Sequence, residues 1–239
     1  MDKKGSLYLI PVPLSDATPP REVLPSRVSE IVGKLSFFAV ENLRSARRFL
    51  KSVNKEIDID KLTFFILDEH SSTKEIPEIL QPLLNGESMG VISEAGCPGI
   101  ADPGSLLVVA ARHAGIRTVP LVGPSSILLG LMASGFNGQN FSFVGYLPHD
   151  KDKRIARLKE MVRRIRNENQ TQIFIETPYR NNRLIEELTK ELPGDLKLCV
   201  ASELTSPEES VIVKSLANWK KSSYDYSKHP TIFLLSIEK

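Results

Sequence analysis

Nothing in these 239 residues reads as a membrane span, because no apolar run approaches the roughly 18 residues a spanning helix needs. Cysteine is scarce. Cys97 and Cys199 are the only two and lie far apart, so no disulfide framework is expected. No Cys/His spacing suits zinc, so no metal site is expected either. The opening Met1-Asp2-Lys3-Lys4-Gly5 leads into seven apolar-rich residues and then prolines. It lacks the apolar core and cleavage site of a secretory leader, which points to reduced thiols and a cytoplasmic protein. Net charge is small as well, at +2. That is too little to mark a nucleic-acid binder, so any such role must come from local clusters. Also missing are the GxGxxG dinucleotide fingerprint and the GxxxxGK[ST] phosphate loop, which removes support for two common nucleotide-binding arrangements.

What is present suits a folded chain. Hydrophobic residues make up 41% and charged residues 25%, which excludes disorder over the whole length. At roughly 150 residues per domain, the length suits one large domain or two small ones. Strand-like and helix-like segments alternate from the start. Residues 7–10, 37–40, 63–67, 89–93 and 118–122 read as strands. Residues 22–33, 41–52, 74–84 and 105–114 read as helices, the first with Val23, Val28, Ile31 and Val32 near one face. This rhythm predicts a parallel sheet with helical crossovers.

After Gly123-Pro124 the texture changes. A small apolar helix over 125–134, a basic helix over 151–168 and a third over 180–191 are mixed with strands at 141–146, 171–176, 197–201, 209–213 and 231–237. The short spacers between the later strands fit a mixed or antiparallel sheet. The expectation is an α/β protein of two α/β domains, residues 1–122 and 123–239, with a cleft between them.

Three segments carry candidate chemistry. Ser93-Glu94-Ala95-Gly96-Cys97-Pro98-Gly99-Ile100-Ala101-Asp102-Pro103-Gly104 follows a buried-type strand and precedes a helix. Its glycines permit positive φ and close approach to a ligand, and its prolines stiffen it. Ligands of open parallel sheets bind beyond the carboxyl ends of strands, where this loop lies. The same pattern also suits an ordinary strand-to-helix connection capped by Asp102. In Val119-Pro120-Leu121-Val122-Gly123-Pro124-Ser125-Ser126, the serines and the free N–H groups of the next helix suit a polar or anionic group, or simply a helix cap. In Ile173-Phe174-Ile175-Glu176-Thr177-Pro178-Tyr179-Arg180, Glu176 has three open roles: binding a ligand, pairing with Arg180, or capping the next helix.

Taken together, these segments resemble the tetrapyrrole methylase superfamily of S-adenosylmethionine-dependent methyltransferases. Within it they are most similar to the small-subunit (16S) ribosomal RNA ribose 2′-O-methyltransferase family that acts on a decoding-site cytidine. The matching stretches are GSLYLIPVPL (5–14), ISEAGCPGIADPG (92–104), AGIRTVPLVGPSSIL (114–128), ASGFNGQNFSFVGYLP (133–148), IFIETPYR (173–180) and VASELTSPEE (200–209). The resemblance implies two α/β domains with S-adenosylmethionine folded into the cleft between them, usually in a homodimer. It maps cofactor contacts to Gly96, Cys97, Pro98, Ile100 and Ala101, largely through their backbone. Ser125 and Ser126 map to the family's Pro-Ser turn, and Glu176 and Thr177 to a strand end. Ala201 and Thr231 map to positions packed on the adenosyl group. Cys97 stands where the close family usually has threonine.

The departures lie mainly on the N-domain side. The family's Pro-Ile-Gly-Asn-Leu-x-Asp-Ile-Thr loop is here Pro13-Leu14-Ser15-Asp16-Ala17-Thr18-Pro19-Pro20. Glu-Asp-Thr-Arg has become Glu41-Asn42-Leu43-Arg44, and Ser-Asp-Ala-Gly has become Ser93-Glu94-Ala95-Gly96. Near the C-terminus, Lys228-His229-Pro230-Thr231 replaces a Gly-containing turn.

Methyl transfer from a sulfonium needs mainly alignment, and a ribose hydroxyl benefits from a nearby acceptor. Glu41, Glu94 and Asp102 are the candidates, and each also reads as a loop brace, Asp102 as the shaper of the cofactor loop. Residues 151–166 hold eight basic residues and two acids. At helical spacing Ile155, Leu158, Val162 and Ile165 face the core, leaving a cationic face that includes Lys153, Arg154 and Arg157. Arg44, Arg47, Arg48 and Lys51 form a second group. Both suit the phosphates of small-subunit ribosomal RNA, and both equally suit a solvated helix face. Two alternatives stand beside an RNA methyltransferase: a superfamily member acting on a porphyrinoid, and a paralogue that binds cofactor or RNA without turnover.

Overall fold

The computed structural model describes residues 4–67 and 75–237. Two five-stranded sheets organise the chain, one in each of two compact units, Met1–Ser125 and Ser126–Lys239.

The first unit runs β1 (Ser6–Ile10), α1 (Pro20–Val23), α2 (Ser26–Val32), β2 (Phe37–Val40), α3 (Leu43–Val53), β3 (Thr63–Ile66), α4 (Ile76–Leu84), β4 (Met89–Ile92), α5 (Gly104–His113) and β5 (Arg117–Pro120). All its strands pair in parallel, in the order β3-β2-β4-β1-β5. The central β4 is buried at every position. There Gly90 leaves room for its neighbours: a Cβ would sit 2.5 Å from Ile10 Cδ1 and 2.9 Å from Phe38 Cδ1. One core cluster joins Val28, Ile31, Val32, Phe38 and Leu50, and another joins Leu7, Leu83, Met89 and Leu107. Fully burying each such side chain stabilises the unit by about 1.5–3 kcal/mol before entropy is counted.

The continuous helix expected over 22–33 is two helices. Pro25 holds Leu24 in extended backbone (φ −115°, ψ 135°), because the proline ring crowds a helical residue before it. The helix expected over 41–52 starts at Leu43, since Asn42 is its cap and accepts from the N–H groups of Arg44 (2.8 Å) and Ser45 (3.3 Å). Lys74, where the next helix was expected to begin, lies outside the described residues.

The second unit runs α6 (Ser126–Ser134), β6 (Phe141–Tyr146), α7 (Lys151–Glu168), β7 (Thr171–Ile175), a 3₁₀ turn (Pro178–Arg180), α8 (Asn181–Glu191), β8 (Lys197–Ser202), β9 (Ser210–Ser215), α9 (Leu216–Trp219) and β10 (Thr231–Ser236). The sheet order is β6-β7-β10-β8-β9, with β6 and β7 parallel and the remaining pairs antiparallel. Along α7 the buried stripe is Leu158, Met161 and Ile165, while Ile155 and Val162 are half-buried. Phe174 and Phe233 stack across β7 and β10 at 5.7 Å. The short α9 was not anticipated, since four residues are too few for periodicity to register. It carries Trp219, which is buried and donates its indole N–H to the Leu198 carbonyl at 2.9 Å.

Candidate functional site

The connection out of β1 leads to β2, and the connection out of β4 leads to β5, on the opposite side of the sheet. The carboxyl ends of these neighbouring strands form a switch point, where open α/β sheets hold their ligands. Three loops converge there. Val12, just after β1, exchanges backbone bonds with Gly96, just after β4, at 2.9 and 3.2 Å. The loop after β5 is pressed against the same place, since a Cβ on Gly123 would lie 2.3 Å from the Pro11 ring. The Cys97 thiol donates to the Pro124 carbonyl at 3.4 Å. Burial raises the pKa of that thiol.

Asp102 gives the loop its shape. Its Oδ1 accepts from the Gly99 N–H at 2.9 Å and from the Gly104 N–H, at the start of α5, at 2.7 Å. Left-handed backbone at Gly96 (φ +72°), Gly99 (φ +81°) and the non-glycine Ala101 (φ +58°) completes the turn. Pro98 is buried, whereas Ile100 is 56% exposed beside it. Asp102 Oδ2 and Ser93 Oγ are buried and have no hydrogen-bond partner among the described residues. Buried polar atoms are rarely left so. Ser125 and Ser126 are half-buried where the third loop enters α6.

The other two candidate acids are braces as well. Glu41 Oε2, at the end of β2, accepts from the Glu94 N–H at 2.8 Å. Glu94 Oε1 in turn accepts from the Ser45 hydroxyl on α3.

In the second unit, Glu176 directly follows β7 and is 8% exposed. Its Oε1 accepts from the N–H and the hydroxyl of Thr177, at 2.8 and 3.2 Å. Among the described contacts it neither pairs with Arg180 nor caps α8, because the adjacent threonine reaches it first. Arg180 Nη1 instead meets His149 Nδ1 at 2.7 Å. Ala201 is buried beneath Gly130 of α6, and the Thr231 hydroxyl reaches Ser202 Oγ and the His229 carbonyl.

Of the cations, Arg44, Arg47 and Arg48 are exposed on α3. Arg48 pairs with Asp16 at 2.9 Å, and Arg47 lies over the Phe64 ring. Lys153 and Arg157 carry no ion pair among the described residues. Arg154 turns away from the outward face of α7, with its side chain 13% exposed and bonded to Glu187 at 2.8 Å. Much of that cationic face is neutralised: Glu160 takes Arg163 and Arg164, and Asp195 takes Arg166. Hydrogen bonds from Arg163 and then Arg164 hold the Glu160 carboxyl down at about 2. His149, Arg180 and Arg183 were not singled out as candidates, because nothing in their spacing brings them together.

The chain is similar to several known proteins. The family model described as tetrapyrrole (corrin/porphyrin) methylases matches residues 25–219. Ribosomal RNA small subunit methyltransferase I of Vibrio cholerae is 32% identical over 205 residues, covering 86% of this chain and 67% of that protein. The protein of the same name from Xylella fastidiosa is 32% identical over 221 residues, covering 91% and 75%. The structure of uroporphyrin-III C-methyltransferase from Thermus thermophilus, complexed with S-adenosylhomocysteine, shares the fold with a TM-score of 0.60 at 14% identity, covering 97% of each chain.

Proposed function

The chain belongs to the tetrapyrrole (corrin/porphyrin) methylase family, and from that premise we propose that it is an S-adenosylmethionine-dependent methyltransferase acting on small-subunit ribosomal RNA. The reading extends to a ribose 2′-hydroxyl of a cytidine as acceptor, and to a homodimer in the cytoplasm. Among the described residues no helix is long and apolar enough to cross a membrane. Leu128 and Met132 of α6, 52% and 77% exposed, offer apolar surface for a second copy.

One observation carries the cofactor reading: the Asp102-clamped loop at the switch point, with Ser93 Oγ and Asp102 Oδ2 buried and without a partner among the described residues. Gly96, Cys97, Pro98, Ile100 and Ala101 would hold the cofactor along that loop, with Ser125 and Ser126 beside them. Glu176, Thr177, Ala201 and Thr231 are proposed as its contacts in the second unit. The Cys97 thiol is engaged by Pro124, so its contribution is assigned to the backbone, where threonine and cysteine are equivalent. When bound, S-adenosylmethionine supplies a methyl group on a positively charged sulfur. The protein's share is alignment, which alone can remove roughly 7–11 kcal/mol from such a barrier. Asp102 keeps the loop rigid, while Glu41 and Glu94 lock the neighbouring strand end.

Calorimetric titration with S-adenosylmethionine, followed by transfer of labelled methyl to small-subunit RNA, tests the reading. Micromolar binding with RNA labelling is expected. Binding with labelling of a porphyrinoid instead would reassign the substrate, and absence of both binding and labelling would reject the activity.

A further inference from the structure

A charged cavity lies within the second unit, and Glu176, proposed above as a cofactor contact, is part of its lining. β6 and β7 are parallel, so their carboxyl ends share one edge of the sheet. α7 follows β6 and α8 follows β7, so both helices begin at that edge; the Asp150 carboxylate caps α7, accepting from the Lys153 N–H at 2.9 Å, whereas α8 has no side-chain cap among the described residues. A cavity of about 330 Å³ opens there, lined by His149, Arg154, Glu176, Arg180, Arg183 and Glu187 among others. That volume falls within the roughly 300–1,000 Å³ of small-ligand pockets.

The charges do not balance. Arg154 and Glu187 neutralise each other at 2.8 Å and form one wall. Glu176 is mostly buried, and its Oε1 is taken by Thr177. Among the described residues the Arg180 side chain meets a ring nitrogen, His149 Nδ1, at 2.7 Å. Because a guanidinium can only donate, Nδ1 is the acceptor, and a neutral ring then carries its proton on Nε2 as a further donor. Arg183 is exposed and, like Arg180, has no carboxylate partner among the described residues. With the Glu176 carboxylate counted, the lining keeps one net positive charge, and two guanidiniums without a carboxylate partner among the described residues face the cavity beside the His149 ring. Guanidiniums bind phosphate oxygens in pairs.

We propose that this cavity is a phosphodiester subsite in which Arg180 and Arg183 grip the backbone of the RNA substrate. It rests on the reading of the chain as an RNA methyltransferase. It makes Arg154, a candidate phosphate contact by sequence, a positioning residue in the wall instead.

The test is fluorescence anisotropy of a labelled single-stranded small-subunit RNA oligonucleotide across a potassium chloride series. Each phosphate contact contributes about 0.7 to the slope of log affinity against log salt. Arg180→Gln/Arg183→Gln is expected to lower the slope's magnitude by about 0.7–1.4, with S-adenosylmethionine affinity unchanged. Arg183→Gln alone should lower it by about 0.7, and decides the matter if the double variant fails to fold. Lys220→Gln/Lys221→Gln removes two exposed charges elsewhere and should keep the wild-type slope. A cavity variant matching this control overturns the subsite. So does loss of inorganic phosphate binding in the cavity variant with its RNA slope unchanged, which would make the cavity a site for free phosphate. Wild-type protein that binds cofactor but no RNA would overturn the RNA reading itself, and the subsite with it.

Discussion

The Glu41 carboxylate accepts the backbone N–H of Glu94 across 2.8 Å, tying the carboxyl end of β2 to that of β4. Residues 53 positions apart thereby hold the entry to the loop after β4, and the charge that suggested proton transfer is used as an acceptor. Glu41→Gln keeps an oxygen that can still accept. Turnover within about threefold of wild type is therefore expected, whereas Glu41→Ala should lose about 0.5–1.5 kcal/mol of stability by chemical denaturation. If Glu41 were the base, Glu41→Gln would instead cost 10²–10⁴-fold in kcat, on the order expected for general base catalysis.

Asp102 offers a parallel comparison. Asp102→Ala strands two loop N–H groups, and about 1–3 kcal/mol of stability should go with them. Calorimetry should show S-adenosylmethionine binding roughly tenfold or more weakened, since tenfold corresponds to about 1.4 kcal/mol. Asp102→Asn retains the accepting oxygen and should bind close to wild type. Full cofactor affinity in Asp102→Ala with turnover abolished would instead place the carboxylate in the chemistry.

Asp225 predicts an acid-sensitive contribution. The backbone N–H of Ser227, then the Ser227 hydroxyl and the Asn182 amide, lower its carboxyl to about 2. The folded state therefore favours the ionised form. The resulting stability is fully present above the unfolded value of 3.8 and disappears as pH falls towards 2. Asp225→Asn should flatten the urea-denaturation profile between about pH 4 and pH 2 and leave its shape at neutral pH unchanged. A wild-type slope in that interval would show the contacts to be absent in solution.

The regular parts of the fold were legible because periodicity reports them. The alternation that predicts a parallel sheet is present as β1 to β5, and the basic run over 151–168 is α7 to the residue. The break between α1 and α2 was also written in the sequence, as Pro25, but the apolar spacing from Val23 to Val32 masked it. Pairings across the chain were not legible. Arg154 meets Glu187 from 33 positions away, and Arg180 meets His149 from 31, because α7 and α8 start at the same sheet edge. Spacing along one segment carries no information on such contacts. The loop after β4 was legible as a segment, since glycines and prolines mark it. Its clamp by a single Asp102 oxygen is a matter of atoms rather than of residue types.

In the second sheet β10 lies between β7 and β8, although it follows both in the chain. Translation therefore delivers the two flanks first: the parallel pair β6–β7, then the antiparallel pair β8–β9. Neither flank can join the other until Thr231–Ser236 has left the ribosome. Through the last stage of synthesis both present open strand edges, while the first unit, whose strands are all complete, is free to fold. The first sheet has the same arrangement on a smaller scale, since β4 lies between β2 and β1 and follows both in the chain.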